Sequence, residues 1–180
     1  MAIRKGRVED IPAFEYIDKL CFPQTIRYSR FDFIYYFFKN NVFTLVCEEG
    51  RRIQAFMIAD VKSTEEGHII SIDVHPNYRR KGLGRNLMDE AEKIFMKLGI
   101  QRVTLEVHES NVLAQLFYSD MGYRLEKKLY NYYHSGHGLQ MSKMLVAVKP
   151  EEKEEVEPIV VEAKSEQAQK QMTLERYQLT

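Results

Sequence analysis

Three consecutive cations and two glycines stand close together in Val74-His75-Pro76-Asn77-Tyr78-Arg79-Arg80-Lys81-Gly82-Leu83-Gly84. The residues before this run alternate in the manner of a strand. After it, Leu83, Leu87, Ala91, Ile94, Phe95 and Leu98 recur at helical spacing. The chain therefore leaves a strand, turns and enters a helix whose first backbone N–H groups have no intrahelical partner. Those donors, the positive end of the helix dipole and the bare glycines together suit an anion, above all a phosphate. Arg79, Arg80, Lys81, Gly82, Leu83, Gly84 and Arg85 are the candidate residues. A glycine-softened turn with solvated cations is the plainer reading, and the strand before and helix after weigh against it. Two nucleotide patterns fail. A P-loop needs Lys followed by Ser or Thr after its second glycine, but Arg85-Asn86 follow Gly84; a dinucleotide fingerprint needs a third glycine where Leu87 stands.

The elements that must position this segment can be read from periodicity. Residues 2–8 read as a strand, and Glu9-Asp10-Ile11-Pro12 as a helix start. Ile11, Phe14, Ile17, Leu20 and Cys21 give that helix one buried face. A second helix is expected from Ser29 to about Asn40, with Phe31, Ile34, Tyr35 and Phe38 as its inward stripe, after a loop at Cys21-Phe22-Pro23-Gln24-Thr25. Strands follow at Phe43–Cys47, Ile53–Val61 and His68–His75, and the long helix closes at Gly99. Val103–Val107 is the next strand. Asn111 caps a helix carrying Leu113, Leu116 and Phe117, ended by Gly122. Last strands lie around Arg124–Tyr130 and Gln140–Val146.

The chain has 180 residues, 44% apolar and 29% charged, with 26 basic and 26 acidic side chains. That is one ordinary globular domain. A balanced charge disfavours nucleic-acid binding, and no apolar window is long enough for a membrane span. The N-terminus has no apolar stretch behind its basic residues, so no signal peptide is expected and the reading is cytoplasmic. Cys21 and Cys47 cannot build a disulfide framework or a four-ligand zinc site, and read as small apolar packers. His134-x-x-His137 lies in a Ser-Gly turn without a nearby Cys and reads as a polar hairpin; no metal is expected. Charge is uneven: residues 149–180 carry eight acidic and five basic side chains. The expected division is a domain at 1–148 and a charged extension at 149–180, solvated by its composition; if ordered, either Val156, Ile159, Val160 and Val161 add a strand or Glu162 to Gln178 form a helix.

The spacing Arg79-x-x-Gly82-x-Gly84 resembles the acyl-coenzyme A signature of the GCN5-related N-acetyltransferase (GNAT) superfamily. A second motif, Asn111-x-x-Ala114-x-x-x-Tyr118-x-x-x-Gly122-Tyr123, is similar to that family's fourth-helix segment. The element order β-α-α-β-β-β-α-β-α-β-β over roughly residues 2 to 147 agrees. The resemblance implies an α/β (α+β) GNAT fold, a single mixed central β-sheet with about four helices, plus the charged C-terminal extension. His68 to Val74, Leu105-Glu106-Val107, Ser110-Asn111 and Tyr132-Tyr133 are together similar to protein N-α-acetyltransferases, including the ribosomal-protein-alanine enzymes and archaeal relatives. This implies acetyl-coenzyme A as cosubstrate and a protein or peptide N-terminus as acceptor. A monomer or homodimer is expected, with or without an auxiliary subunit. The alternative is a lysine or small-amine acetyltransferase of the same fold; a lapsed, coenzyme-binding subunit is a second.

Residue roles follow from the resemblance and the chemistry of amine attack on a thioester. Glu106 matches the strand-five glutamate that receives the amine proton through water, and alternation with Val103, Leu105 and Val107 places it off the apolar face. An α-amine titrates near ~7.7–8.0 and a lysine near ~10.4, so one such base suffices for an N-terminus. Tyr118 matches the family tyrosine whose hydroxyl faces the coenzyme sulfur. His68 is a second proton acceptor. Ile72, Asp73 and Val74, with Asn111 and Tyr118, are expected along the coenzyme, the carbonyl being polarised by a backbone N–H near Val74 if the strand bulges and splays from its neighbour. Phe22, Pro23, Tyr132 and Tyr133 match peptide-groove positions. Gln24 stands where some relatives selective for small N-terminal residues carry Glu, which brings Met-hydrophobic N-termini into range.

Overall fold

Strand β3 (Arg52–Val61) is apolar almost without interruption, as a strand covered on both faces must be. In the computed structural model, which describes residues 1–134 and 136–145, it lies third in a seven-stranded sheet. The strands are β1 (Ala2–Lys5), β2 (Val42–Glu49), β3, β4 (Glu66–Val74), β5 (Arg102–His108), β6 (Arg124–Tyr133) and β7 (Gly136–Met144), in spatial order β1-β2-β3-β4-β5-β7-β6. All neighbours are antiparallel except β4 and β5. A parallel pair needs a crossover, which α3 (Leu83–Lys97) supplies. With α1 (Ile11–Cys21), α2 (Arg30–Phe38) and α4 (Val112–Asp120) there are four α-helices among the described residues. This is the mixed single-sheet fold expected. The boundary near Val148 and the extension lie outside the described residues.

Two apolar layers sandwich the sheet. On one face Phe14 of α1 stacks on Phe56 of β3 at 4.2 Å between ring centres, with Phe33 of α2 set edge-on to both. On the other, Leu87, Met88, Ala91 and Phe95 of α3 pack on Leu45, Met57 and Leu105. Gly67 sits where α3 comes closest: a Cβ there would lie 2.5 Å from the Phe95 ring. The sequence-derived stripes hold for Ile11, Phe14 and Ile17, while Leu20 is exposed and Asp18 buried instead. In α2 the inward residue is Phe33, and Phe31 and Tyr35 face out. In α4 Leu113 and Leu116 face out and Tyr118 is buried. Both helices are apolar on nearly every side, so their composition does not fix their rotation. The Asn111 cap was legible, its side chain accepting from Ala114 N–H at 3.2 Å, and Ser29 and Asp32 cap α2 reciprocally.

Two irregularities in β4 position the site. Ile58 opposes Ser71 while the next residue, Ala59, opposes Ile69, so Ile70 is an extra residue in β4, a bulge. The parallel pairing of β4 with β5 ends at Ile69 and Leu105, and the strands part beyond it. Alternate backbone groups of β4 after Ile69 thus open into a gap. Strand β6 is outermost and shifts register against β7 twice, near Glu126 and between Leu129 and Tyr133.

Candidate active site

Beyond the splayed end of β4 the chain turns into the N-terminus of α3. Its first helical residue follows Gly82 at φ +80°, a left-handed turn with no side-chain cap. No Cβ at Gly82 would meet any atom within 4 Å, so the approach to these N–H groups is open. Unlike α2 and α4, this helix therefore keeps its first donors for something else, and exposed Arg80, Lys81 and Arg85 lie beside them. The residues fit a phosphate-bearing ligand. Leu83 is buried and Gly84 packs near Phe117 and Val74. Lys81 lies over the Tyr78 ring at 5.2 Å, and Tyr78 accepts from Arg52 at 3.2 Å. Arg79 is turned away from the cradle: its guanidinium donates to Val74 C=O at 3.1 Å and to Cys21 Sγ at 3.3 Å, tying the turn to α1.

Strands β4 and β5 carry the ionisable groups. Leu105 and Val107 of β5 belong to the α3-side core, so Glu106 and Thr104 face the opposite side, as strand alternation requires. His68 of β4 faces the same way. Its Nε2 lies 3.2 Å from Glu106 Oε2 and its Nδ1 lies 3.1 Å from Thr104 Oγ1. Gln140 of β7 donates to Glu106 Oε1 at 3.4 Å. Burial pushes the Glu106 carboxyl up, but the hydrogen bond from His68, with the charge of Lys62 and the Gln140 amide, outweighs it and holds it below the ordinary carboxylate value. Glu106 is thus an ionised, oriented acceptor.

Tyr118 is buried on α4, and burial, then the charge of Asp73 and of Tyr133, push its hydroxyl well above the usual phenol range. It stays a donor at any working pH. Tyr132 and Tyr133 stand edge-to-face at 4.9 Å. Burial and then the charge of Glu106 raise the Tyr132 hydroxyl; burial, Tyr132 and Glu106 push Tyr133 up to about 12. The sequence-predicted Glu106, His68, Tyr118, Tyr132 and Tyr133 thus share one electrostatic neighbourhood. Ile72 and Val74 are half-buried on the splayed part of β4. Phe22 is half-buried and Pro23 exposed at the end of α1, where Arg27 donates to Phe22 C=O at 2.6 Å and Lys19 C=O at 2.9 Å. His137 Nδ1 accepts from Asn131 N–H at 3.0 Å, holding the hairpin.

Sequence reasoning missed two groups, Tyr28 and Thr104, and expected Asp73 along the coenzyme without foreseeing its burial. Tyr28 is set edge-on to Tyr36 and its hydroxyl is raised by burial and by Tyr36. The Asp73 side chain is buried, takes Ser71 Oγ–H at 3.3 Å and leaves Oδ2 unpartnered among the described residues. Burial, then the neighbouring charge of Asp18, push Asp73 up to about 8; burial pushes Asp18 up to about 6, against the Tyr28 backbone N–H and the Arg27 charge. Thr104 appears only once the β4–β5 register is known.

Comparison with known proteins places this geometry. A family model for GNAT acetyltransferases matches residues 11–123. An uncharacterized N-acetyltransferase of Methanocaldococcus jannaschii is 32% identical over 137 residues, covering 76% of this chain and 86% of that one. An N-alpha-acetyltransferase of Sulfurisphaera tokodaii is 25% identical over 146 residues, covering 74% and 86%. The crystal structure of the ribosomal-protein-S18-alanine N-acetyltransferase of Escherichia coli shares the fold with a TM-score of 0.72 at 23% identity, over 87% of this chain and 98% of that one. On the family match and the first relative, this chain belongs to the acetyltransferase (GNAT) family.

Proposed function

We propose that this acetyltransferase moves an acetyl group from acetyl-coenzyme A to the α-amine of protein or peptide N-termini. The observation that carries the reading is the ionised Glu106, held by His68 and Gln140 on β5 just beyond the point where its pairing with β4 ends. The α3 N–H groups with Arg80, Lys81 and Arg85 hold the coenzyme's phosphates. The coenzyme, when bound, supplies the thioester carbonyl that the amine attacks. Glu106 takes the proton from the amine, through water, and Tyr118 donates toward the departing sulfur. Backbone N–H groups of the splayed part of β4 steady the carbonyl oxygen. Phe22, Pro23, Tyr132 and Tyr133 frame the entering chain. A single carboxylate suits an α-amine, about a tenth of which is already neutral at pH 7, better than a lysine.

Incubating the protein with acetyl-coenzyme A and peptides beginning Ser, Ala, Glu or Met-Leu, each also carrying an internal lysine, tests this by mass. Acetate on the α-amine is expected. Acetate on the lysine alone overturns the α-amine reading in favour of the side-chain one. The ranking of the peptides reads out what Gln24 does to the choice of first residue.

A further inference from the structure

We propose that Thr104 is a positioning residue, whose hydroxyl donates to His68 Nδ1 and so fixes the ring's one hydrogen on Nε2, pointed at Glu106. This deepens the reading above, in which Glu106 takes the amine's proton.

Both sides of the imidazole lead to this assignment. On the Glu106 side, Nε2 stands 3.2 Å from a carboxylate oxygen that can only accept; an unprotonated Nε2 there would set a lone pair against an anion. On the Thr104 side, Oγ1 has three acceptors in reach: Nδ1 at 3.1 Å, Glu66 Oε1 at 3.4 Å and Gly67 C=O at 3.4 Å. A hydroxyl donates once, and Nδ1 is the shortest of the three. Glu66 does not depend on that hydrogen, because Arg102 binds its other oxygen and also donates to Glu126 at 2.6 Å. Arg102 thereby leaves the Thr104 hydrogen to the ring. A neutral histidine is a donor at one nitrogen and an acceptor at the other, and the hydrogen bond made at one decides what the second can do. Held this way, the ring gives Glu106 a permanent donor at Oε2, and Oε1, which accepts only the long 3.4 Å bond from Gln140, keeps a lone pair for the proton leaving the amine.

Other ionisable groups face the same pair. Asp60 of β3 lies opposite His68 in register, with Lys39 Nζ 3.2 Å from its carboxylate. Lys62 acts on Glu106 from the β3–β4 turn, and Tyr132 from β6. None of these reaches Nδ1 through a hydrogen bond among the described residues; Thr104, itself buried, does.

The test is NMR on protein labelled with ¹⁵N in histidine and ¹³C in glutamate. It compares the wild type with Thr104→Val, which keeps the shape and loses the hydroxyl, and Thr104→Ser, which restores it. In the wild type the ¹⁵N shifts of neutral His68 are expected to show hydrogen on Nε2. In Thr104→Val the Glu106 carboxyl carbon is expected to titrate about half to one pH unit higher, because its donor is no longer fixed, with kcat down about 3–10-fold. Thr104→Ser returns both toward the wild type. Hydrogen on Nδ1 in the wild type, or an unmoved Glu106 titration in folded Thr104→Val, overturns the proposal. The outcomes separate from those of the functional reading: the NMR signature with no acetylation of any peptide refutes that reading and supports the assignment.

Discussion

At the scale of single residues the site is an acceptor and a donor whose environments push them apart. Glu106 is kept ionised by its neighbours, while Tyr118 is kept protonated by burial and by the charges of Asp73 and Tyr133. In the proposed reaction that division suits Glu106 to the base and Tyr118 to the acid. Glu106→Gln is expected to lower kcat about 10²-fold with the KM for acetyl-coenzyme A little changed, measured by steady-state acetylation of a peptide N-terminus. Tyr118→Phe is expected to cost less, ~3–30-fold, because a thiol near ~8.5 is a fair leaving group unaided. Glu106 was legible in the sequence, since alternation with Leu105 and Val107 already turned it off the core face. Thr104 was not, because its meaning depends on the register that brings it opposite His68. Asp18 was not either: helical spacing counted Leu20 toward the buried face, and only packing of α1 on the sheet reveals the carboxylate inside.

At the scale of elements, the β4–α3 turn and the β4–β5 pair do separate jobs, and two glycines report on them. Gly82 has φ +80° with empty space where a Cβ would go, so Gly82→Ala meets backbone strain and no clash. A loss of ~1–2 kcal/mol and a raised KM for acetyl-coenzyme A are expected, read by denaturant titration and kinetics. Gly67→Ala pushes a methyl into the Phe95 ring, and a loss of ~1–3 kcal/mol is expected with KM unchanged in the folded enzyme. Element order and most boundaries were readable because α3 alternates Asp89, Glu90 and Lys93 with apolar residues and the strands are β-branched runs. The rotations of α2 and α4 were not. Arg-Phe-Asp-Phe-Ile-Tyr-Tyr-Phe-Phe and Val-Leu-Ala-Gln-Leu-Phe-Tyr-Ser-Asp offer apolar residues on every side, and the sheet surface chooses among them.

At the scale of the molecule, a carboxyl buried without full pairing sets how stability follows pH. Asp73 is raised to about 8 in the fold, against ~3.9 in an unfolded chain. Between those values the unfolded chain has released the proton that the fold retains, so stability present below about pH 4 is lost as pH rises toward 8. Asp18, raised to about 6, adds to the lower part of that window. Asp73→Asn is therefore expected to stabilise by ~1–3 kcal/mol at pH 8 and by much less at pH 4, measured by denaturant titration at the two values. The outermost described strand has a different consequence. Strand β6 exposes Arg124, Lys127 and Lys128 and breaks step with β7 twice. A second copy laid along that strand would meet like charges and a twisted, interrupted ladder, so β6 makes a poor template for edge-to-edge growth into fibrils.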